Sequence, residues 1–200
     1  MSNTLYGYFG KQLRVSLSTG EIKSEDIDVD ILRKYIGGVG YGARVLYDEL
    51  EKGIDPLSPD NKIIFTTSPL TANNIPGGGS IMACFKSPLT KIWGESRSGG
   101  NFGPDLRKTG YDALIIEGKS AEPVFLSISD DDVSLQPAGH MAGKTVTEKT
   151  GLIRDALKDS KITVLCIGPA GEKQVKFATL MVEHRAAGRC GGGAVMGTKN

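Results

Sequence analysis

The chain has 200 residues, of which 24 are Lys or Arg and 23 are Asp or Glu, and 39% of its residues are hydrophobic. This length accommodates one domain with a substantial core, and the near-neutral charge argues against a general electrostatic grip on nucleic acid. No apolar run approaches the roughly 20 residues that a membrane helix needs, and the polar start lacks the apolar segment of a signal peptide, so we expect a cytoplasmic protein.

The first half of the chain predicts a hairpin, three helices and four further strands. Asp28 is placed to cap a short helix that Gly37 and Gly38 end. Pro104 suits the first turn of a later helix that Gly110 ends. Between them, apolar residues at helical spacing indicate a second helix, and these residues are Ala43, Leu46, Tyr47 and Leu50. The predicted strands cover residues 13–17, 21–23, 62–67, 80–85, 91–96 and 113–117.

The second half predicts a hairpin, a helix, two strands and a glycine-rich helical turn. Thr145 and Glu148 have the spacing of a capping box. The hairpin is predicted over residues 124–128 and 133–135, and the strands over 162–167 and 176–182. Because strands outnumber helices and do not alternate strictly with them, we expect one α+β domain over residues 1–200 with mixed or antiparallel sheets.

Arginine and glycine occur together in two segments, residues 96–103 and 184–193. Glycine lets the backbone approach a ligand closely. Successive exposed N–H groups form an anion nest, and an arginine fork can hold a phosphate with two hydrogen bonds. The two segments therefore predict a surface that holds a large, phosphate-bearing ligand.

The two segments end stretches that share one order of features. Each stretch has an apolar strand, a small residue followed by proline, further strand, and then arginine with small residues. The first comprises residues 63–69 and 97–100, and the second comprises 164–169 and 185–188. Chance and a true structural repeat both explain this order. A repeat would provide two equivalent anion-binding segments, which we call the first cradle (97–100) and the second cradle (185–188).

In this order, the motifs of the chain resemble the N-terminal domain of the tungsten-dependent aldehyde ferredoxin oxidoreductase family. The resemblance spans nearly the whole chain and depends on the ordered set rather than on any one motif. The matching segments are residues 7–10, 13–20, 35–38, 55–59, 86–90, 98–103, 108–113, 167–172, 184–189 and 193–200.

The resemblance implies a base of two β-sheets, related by a pseudo-twofold and flanked by helices. On this base would lie a tungsten (or molybdenum) ion coordinated by two molybdopterin dithiolenes, with a magnesium ion bridging the two pterin phosphates. The backbone carbonyls of Arg97 and Ala186 would face the magnesium. The residues implied in contact with the pterins and phosphates are Ser80, Arg97, Ser98, Gly99, Gly100, Arg185, Ala186, Ala187 and Gly188.

Position 80 departs from the family pattern. The well-known members carry an arginine there that reaches a pterin phosphate, whereas this chain has Ser80 after Gly78 and Gly79. A serine hydroxyl brings no charge, and charge-assisted hydrogen bonds are about twice as strong as neutral ones. Lys86 and Arg97 are candidates for the missing cation. Arg97 stands where those members have asparagine, a change that leaves the backbone carbonyl in place.

The implied enzyme oxidises aldehydes to carboxylic acids and passes electrons through a 4Fe-4S cluster to ferredoxin. Cys84, Cys166 and Cys190 form no C-x-x-C pair, so we expect the cluster ligands and the catalytic residues in later domains of the same enzyme. The chain alone is then not expected to turn over substrate, and we assign it no catalytic residue. We expect no nucleic acid or membrane partner, and a homodimer stays open.

Three alternatives remain open. The first is a family member that acts on another substrate, such as an aromatic acyl thioester that it reduces. The second is a non-catalytic module that keeps the fold without the metal, and the third is an unrelated nucleotide-binding α+β domain.

Overall fold

A computed structural model describes residues 6–73, 75–129 and 132–200 of the chain. The strands are β1 (Lys11–Ser16), β2 (Glu21–Asp26), β3 (Ile63–Thr66), β4 (Ile81–Lys86), β5 (Trp93–Ser98), β6 (Ala113–Glu117), β7 (Val124–Ile128), β8 (Val133–Pro137), β9 (Leu165–Cys166), β10 (Leu180–Val182) and β11 (Arg185–Ala187). The α-helices are α1 (Val29–Tyr35), α2 (Gly38–Glu49), α3 (Phe102–Lys108), α4 (Val146–Leu157), α5 (Pro169–Glu172) and α6 (Gly192–Gly197), and a 3-10 turn covers Gly139–Met141. Over these ranges, none of the helices has the length and apolar character needed to cross a bilayer.

The predicted helix starts are confirmed where a side chain caps the helix. Asp28 accepts a 2.8 Å hydrogen bond from the backbone N–H of Asp30 and begins α1. Thr145 and Glu148 form the reciprocal capping box that begins α4. Both caps satisfy N–H groups that have no partner within the helix.

Most strands pair in antiparallel fashion. The first sheet has the order β2-β1-β6-β3-β4-β5, in which only the β1–β6 pair is parallel. A second sheet has the order β11-β10-β9, and β7 pairs with β8. The α+β class with mixed sheets and flanking helices is therefore confirmed.

The order of the elements repeats along the chain. A hairpin (β1–β2), helices, an antiparallel meander (β3-β4-β5), a helix (α3) and a strand (β6) make up the first half. A hairpin (β7–β8), the helix α4, a meander (β9-β10-β11) with the short helix α5 after its first strand, and the helix α6 follow in a similar order. This agreement supports a structural repeat over chance.

The main core lies between the two sheets. Phe65 and Phe85 of the first sheet pack in one buried cluster with Leu180 and Val182 of β10. On the outer face of the first sheet, α2 packs through Val45 and neighbouring residues against β3 and β4. On the outer face of the second sheet, α4 packs through Ile153 against β9 and the residue before it.

The face that α2 buries coincides only in part with the apolar pattern of the sequence. Leu46 of that pattern is buried and Tyr47 is 84% exposed, whereas Tyr41 and Val45, outside the pattern, are buried. The reason is Gly42, which brings α2 so close to β4 that an added Cβ would lie 2.5 Å from Cys84 Sγ. Glycine has no side chain to count in a hydrophobic pattern, so the pattern alone did not identify this contact face.

Gly42→Ala is expected to destabilise the chain by about 1–3 kcal/mol, because the new methyl group would overpack the α2–β4 contact. Gly151→Ala in α4 is the matched control: an added Cβ there meets nothing within 4 Å, so alanine should stabilise by about 0.5–1 kcal/mol. Urea unfolding of both variants measures the two changes. If both variants changed the unfolding free energy by the same amount and in the same direction, the close contact between α2 and β4 would be contradicted.

An ion pair joins α4 to α5. The buried ammonium of Lys149 donates to Glu172 and, at 2.8 Å, to the backbone carbonyl of Ile167. Desolvation opposes ionisation of Glu172, but the hydrogen bonds from Lys149 and from Gly143 N–H outweigh it and lower the pKa of this carboxyl.

Glu172→Gln is expected to destabilise the chain by about 2 kcal/mol at pH 7, because the buried ammonium of Lys149 loses its counter-ion. The pKa of Glu172 is lower in the folded than in the unfolded chain, so its contribution is fully present above the unfolded pKa of about 4.3 and disappears as the pH falls further. When the unfolding free energy is measured between pH 3 and pH 7, the values for the wild type and Glu172→Gln should therefore differ at pH 7 and approach each other at low pH. Glu51 is exposed, so Glu51→Gln should have the unfolding free energy of the wild type at every pH. A difference between Glu172→Gln and the wild type that stays constant with pH would contradict the stabilising role of the Glu172 carboxylate.

Candidate functional site

The two cradles lie side by side. The first begins on β5, the second begins on β11, and these two strands are neighbours. The backbone N–H of Arg189, just after the second cradle, donates a 3.0 Å hydrogen bond to Ser96 Oγ, just before the first. The two cradles therefore form one continuous surface region.

The side chain of Arg185 lies across the first cradle. A Cβ added at Gly99 would be 3.5 Å from Arg185 Nη1, and one added at Gly100 would be 3.3 Å from Arg185 Cδ. Gly100 also has φ +104°, a conformation that other residues rarely adopt. Because Gly99 and Gly100 have no side chains, the side chain of Arg185 has space to extend from the second cradle over the first.

The strand pairing makes the backbones of the two cradle strands equivalent. Each cradle strand pairs with the middle strand of its meander, which pairs in turn with the first strand. The paired residues are Thr66, Met82 and Arg97 in the first meander, and Cys166, Met181 and Ala186 in the second. In both meanders a proline lies three residues after the paired residue of the first strand. Pro69 follows Thr66 in this way, and Pro169 follows Cys166. The repeat therefore places the backbone of Arg97 in the position that Ala186 occupies in the second half.

The guanidinium groups of both cradles are available to a ligand. Arg97 and Arg185 are exposed, and neither forms an ion pair or a side-chain hydrogen bond with any other residue that the structure describes. Arg14 and Arg107, in contrast, each contact carboxylates. An arginine fork that has no protein partner offers its donors to an anion such as phosphate.

Ser80 lies beside the first cradle. A Cβ added at Gly103 would be 2.9 Å from the Ser80 carbonyl oxygen, and one added at Gly79 would be 3.4 Å from the carbonyl oxygen of Gly100. The β4–β5 register, in which Ile81 pairs with Ser98, places Ser80 opposite Gly99 when it is continued by one residue. Because paired residues and alternate residues share a face, Ser80 and Arg97 point to the same side of the sheet.

Lys86 cannot serve the first cradle. Its ammonium group donates a 2.6 Å hydrogen bond to the carbonyl of Ile54, and it pairs with Trp93 at the far end of the β4–β5 ladder. Of the two cations considered for the role of the missing arginine, Arg97 is the one near position 80.

The other cradle residues present backbone rather than side chains. Ser98 is buried, and its hydroxyl donates to the Gly99 carbonyl at 3.1 Å. Ala187 is buried in the main core, whereas Ala186 and Gly188 are exposed. Short side chains at these positions keep the backbone of the second cradle accessible.

The glycine run after the second cradle has a packing role that the sequence did not indicate. A Cβ added at Gly192 would be 2.7 Å from Phe85 Cε1, and one added at Gly193 would meet the backbone of Thr179. The carbonyl of Cys190 accepts a 2.8 Å hydrogen bond from Ser87 Oγ. These contacts leave the residues before this run as the part of the segment in which an anion nest is predicted.

Two of the three cysteines, Cys84 and Cys166, are buried, and burial raises the pKa of the Cys84 thiol to about 12. In the part of the chain that the structure describes, no group of three or more His, Cys, Asp or Glu side chains could hold a metal ion. A metal ion at this site would therefore need ligands of another kind than a group of such side chains.

Comparisons with known proteins agree on one family. A family model described as "Aldehyde ferredoxin oxidoreductase, N-terminal domain" matches residues 12–200. The tungsten-containing aldehyde ferredoxin oxidoreductases of Pyrococcus horikoshii and Pyrococcus furiosus are each 45% identical to the chain over 197 residues. These alignments cover 98% of the chain but 32% and 33% of the relatives, so the chain spans about a third of their length.

A solved structure is similar over nearly the whole chain. It is the active site complex BamBC of benzoyl coenzyme A reductase in complex with 1,5 dienoyl-CoA, with a TM-score of 0.95 and 36% identity. The match covers 97% of this chain and 30% of that one.

Proposed function

Since the chain belongs to the aldehyde ferredoxin oxidoreductase family as its N-terminal domain, we propose that it binds the cofactor of a tungsten-dependent oxidoreductase. The two cradles each hold one phosphate of a pair of pterin dithiolenes. The observation that carries this proposal is the position of the two cradles side by side, with Arg97 and Arg185 both lacking a partner among the described residues.

The residues present fit such a cofactor. Two like phosphates need two like sites, and the strand register aligns the backbone of Arg97 with that of Ala186. The cradle backbones are therefore equivalent, whereas Arg185 stands one residue before the position that corresponds to Arg97. A magnesium ion prefers oxygen ligands, and the backbone carbonyls of Arg97 and Ala186, at equivalent positions of neighbouring strands, are the ligands that we assign to it. The tungsten–dithiolene supplies the redox chemistry when it is bound.

The chain's own contribution is binding and orientation. Arg185 lies across both cradles, so its guanidinium can neutralise charge at either phosphate. Strands β5 and β11 are fixed by their meanders and by the bond from Arg189 N–H to Ser96, which keeps the phosphate sites at a constant separation. A site whose donors are held before the ligand arrives loses less entropy on binding.

We also propose that Arg97 replaces the cation that position 80 lacks. Arg97→Ala is then expected to weaken cofactor retention about tenfold to a hundredfold, because one charge-assisted phosphate contact contributes about 1.5–3 kcal/mol. Ser80→Arg in the Arg97→Ala background should restore most of the loss, since the two positions point to the same side of the sheet. The pterin content of the longer enzyme after dialysis measures both. Lys86→Ala is the control, and a loss that Ser80→Arg does not restore would contradict the replacement.

The proposed reaction is the oxidation of an aldehyde to a carboxylic acid, with two electrons passed through a 4Fe-4S cluster to ferredoxin. The 45% identity to relatives that are named for this reaction supports it. The cluster and the acid–base residues are assigned to the C-terminal domains of the longer enzyme. Aldehyde-dependent reduction of ferredoxin by that enzyme, with tungsten present, is the expected result.

Reduction of an aromatic acyl thioester is the second candidate, because the benzoyl coenzyme A reductase complex has a TM-score of 0.95 to this chain. The same preparation assayed with benzoyl-CoA and a low-potential donor separates the two reactions. Thioester reduction without aldehyde oxidation would replace the first candidate by the second. An enzyme that lacks tungsten, molybdenum and pterin would favour the non-catalytic module.

A further inference from the structure

Two tripeptides of the same pattern border the cradles, one in each half of the chain. Each has a hydroxyl residue, a branched apolar residue and a methionine, and they are Ser80-Ile81-Met82 and Thr179-Leu180-Met181. They lie where the middle strand of each meander begins. In the first meander Met82 pairs with Arg97. In the second, Met181 pairs with Ala186, so the two tripeptides hold equivalent positions of the structural repeat.

The hydroxyl residue of each tripeptide stands beside a cradle glycine. The register of the second meander, continued by one residue, places Thr179 opposite Gly188. A Cβ added at Gly188 would be 3.7 Å from Thr179 Cγ2, so the two residues are close. In the first meander, Ser80 lies opposite Gly99 in the same way. Because glycine has no side chain, each hydroxyl residue borders a part of the cradle that a ligand can occupy.

The methionines point to the exposed face of each cradle strand. Directly paired residues of antiparallel strands share a face, and their Cβ atoms are about 4.5–5.5 Å apart. Met82 therefore shares a face with Arg97. Met181 likewise shares a face with Ala186. Both of these partners are exposed and both methionines are half-buried, so each thioether borders the surface on which a ligand of the cradles would lie.

The core does not explain the two methionines. Met141 is buried in the cluster beneath α4, and Met196 packs against the main core. Met82 and Met181, in contrast, neither belong to nor pack against any of the three buried clusters that the described residues form. The middle residues of the two tripeptides point inward instead and are buried in the main core. Part of each thioether is therefore left to contact a ligand.

The two side-chain types suit a flat heteroaromatic ring. A hydroxyl both donates and accepts, which matches the mixed donors and acceptors at the edge of such a ring, and a thioether is polarizable and makes favourable contacts with aromatic rings. The Ser80 hydroxyl has no hydrogen-bond partner among the described residues. Thr179 Oγ1 donates to Met181 Sδ at 3.3 Å. Because sulfur is a weak acceptor, a ligand atom can replace it at little cost.

We propose that the two tripeptides extend the cradles into two equivalent ring sites, in each of which the hydroxyl and the thioether contact one flat heteroaromatic half of the ligand. The contact residues are Ser80 and Met82 in the first ring site and Thr179 and Met181 in the second. This inference rests on the proposed function, since the rings are those of the two pterin dithiolenes whose phosphates the cradles hold. The hydroxyl bonds to the edge of the ring, and the thioether packs on its face. The site thereby favours a ligand with two like halves over a ligand with one ring.

Cofactor retention in the longer enzyme tests the ring sites. Met82→Ala, Met181→Ala and Thr179→Val should each weaken retention after dialysis about twofold to tenfold, because each removes one contact with a ring. The losses of the two methionine variants should agree within a factor of about two, and the double variant should multiply them. Thr90→Val is the matched control. Thr90 is exposed in the β4–β5 turn, outside the cradles and the tripeptides, so its variant should retain the wild-type content.

Methionine oxidation separates a ligand contact from a structural role. The longer enzyme, with and without its cofactor, is treated with dilute peroxide, and peptide mass spectrometry measures the sulfoxide at each methionine. Met82 and Met181 should be oxidised at least about fivefold more slowly when the cofactor is bound, because a covered thioether is less accessible to the oxidant. Met196, which is half-buried against the main core, should be oxidised at the same rate in both forms.

The outcomes distinguish the ring sites from the cradles. An enzyme that holds two pterins for each tungsten atom, but whose three variants retain them as the wild type does, would overturn the ring sites and leave the cradles supported. Equal oxidation of Met82 and Met181 with and without the cofactor would have the same meaning. An enzyme that holds no pterin would overturn the proposed function and the ring sites together.

Discussion

Asp112→Ala is expected to destabilise the chain by about 3–5 kcal/mol. Asp112 is 5% exposed, and it accepts from Arg107 Nη1 at 2.7 Å and from the backbone N–H groups of Phe9 and Gly10 at 2.9 and 2.8 Å. Arg107 is itself 7% exposed, so removal of the carboxylate would leave a buried guanidinium without its counter-ion.

The position of Asp112 in the first sheet adds to this effect. Its backbone N–H donates to the carbonyl of Lys11, and its carbonyl accepts from the N–H and the hydroxyl of Thr67. The residue thus connects the segment before β1 with the strands at the centre of the sheet. Loss of the carboxylate is expected to release residues 7–10 before the rest of the chain unfolds.

Chemical denaturation measures the change, and two further variants calibrate it. Asp112→Asn keeps the shape and one acceptor oxygen but loses the charge, so it should cost less than alanine. Asp30→Asn removes an exposed carboxylate whose contact with Arg33 is at 3.6 Å, and exposed pairs contribute about 0–1 kcal/mol. An Asp112→Ala variant as stable as Asp30→Asn would show that the Arg107 contact does not form.

Arg185→Ala is expected to reduce cofactor retention about a hundredfold while the stability of the fold changes by less than about 0.5 kcal/mol. Two charge-assisted bonds from one guanidinium contribute about 3 kcal/mol to phosphate binding. The fold should be unaffected because Arg185 is exposed and has no ion pair or side-chain hydrogen bond with the described residues.

The pterin and tungsten contents of the longer enzyme after dialysis test this prediction. Arg185→Lys should retain an intermediate amount, since an ammonium group keeps the charge but cannot form the two-pronged contact. Arg33→Ala, which removes an exposed arginine of α1, should behave as the wild type. Full retention in Arg185→Ala would exclude Arg185 from the phosphate site.

The sequence predicted those elements whose signals are local. Asp28 and the Thr145–Glu148 pair specify helix starts because the capping side chain bonds within its own turn. The hairpin β1–β2 and the buried strands β3 and β6 were predicted because alternation or apolar runs mark them.

The elements that were missed depend on distant contacts. β11 is a strand of arginine and alanine, residues without strong β-propensity, and it exists because β10 pairs with it. The apolar pattern of α2 did not identify its contact with β4 because the contact residue is Gly42. Neither pairing partners nor close helix–sheet contacts can be read from a local pattern.

For the candidate site, the sequence indicated the composition of the two cradles but not their arrangement. The order of features suggested a repeat, whereas the neighbouring positions of β5 and β11 follow only from the packing of the two meanders. Likewise, the choice between Lys86 and Arg97 needed the contact of Lys86 with Ile54.

The ratio of organic phosphate to tungsten in the longer enzyme tests the central claim most directly. Two equivalent cradles that each hold one phosphate predict two pterin phosphates for each tungsten atom and each chain, measured by phosphorus and metal analysis of the same sample. Both values should fall together in Arg185→Ala. One phosphate per tungsten, or phosphate that stays when both Arg97 and Arg185 are replaced by alanine, would contradict the account.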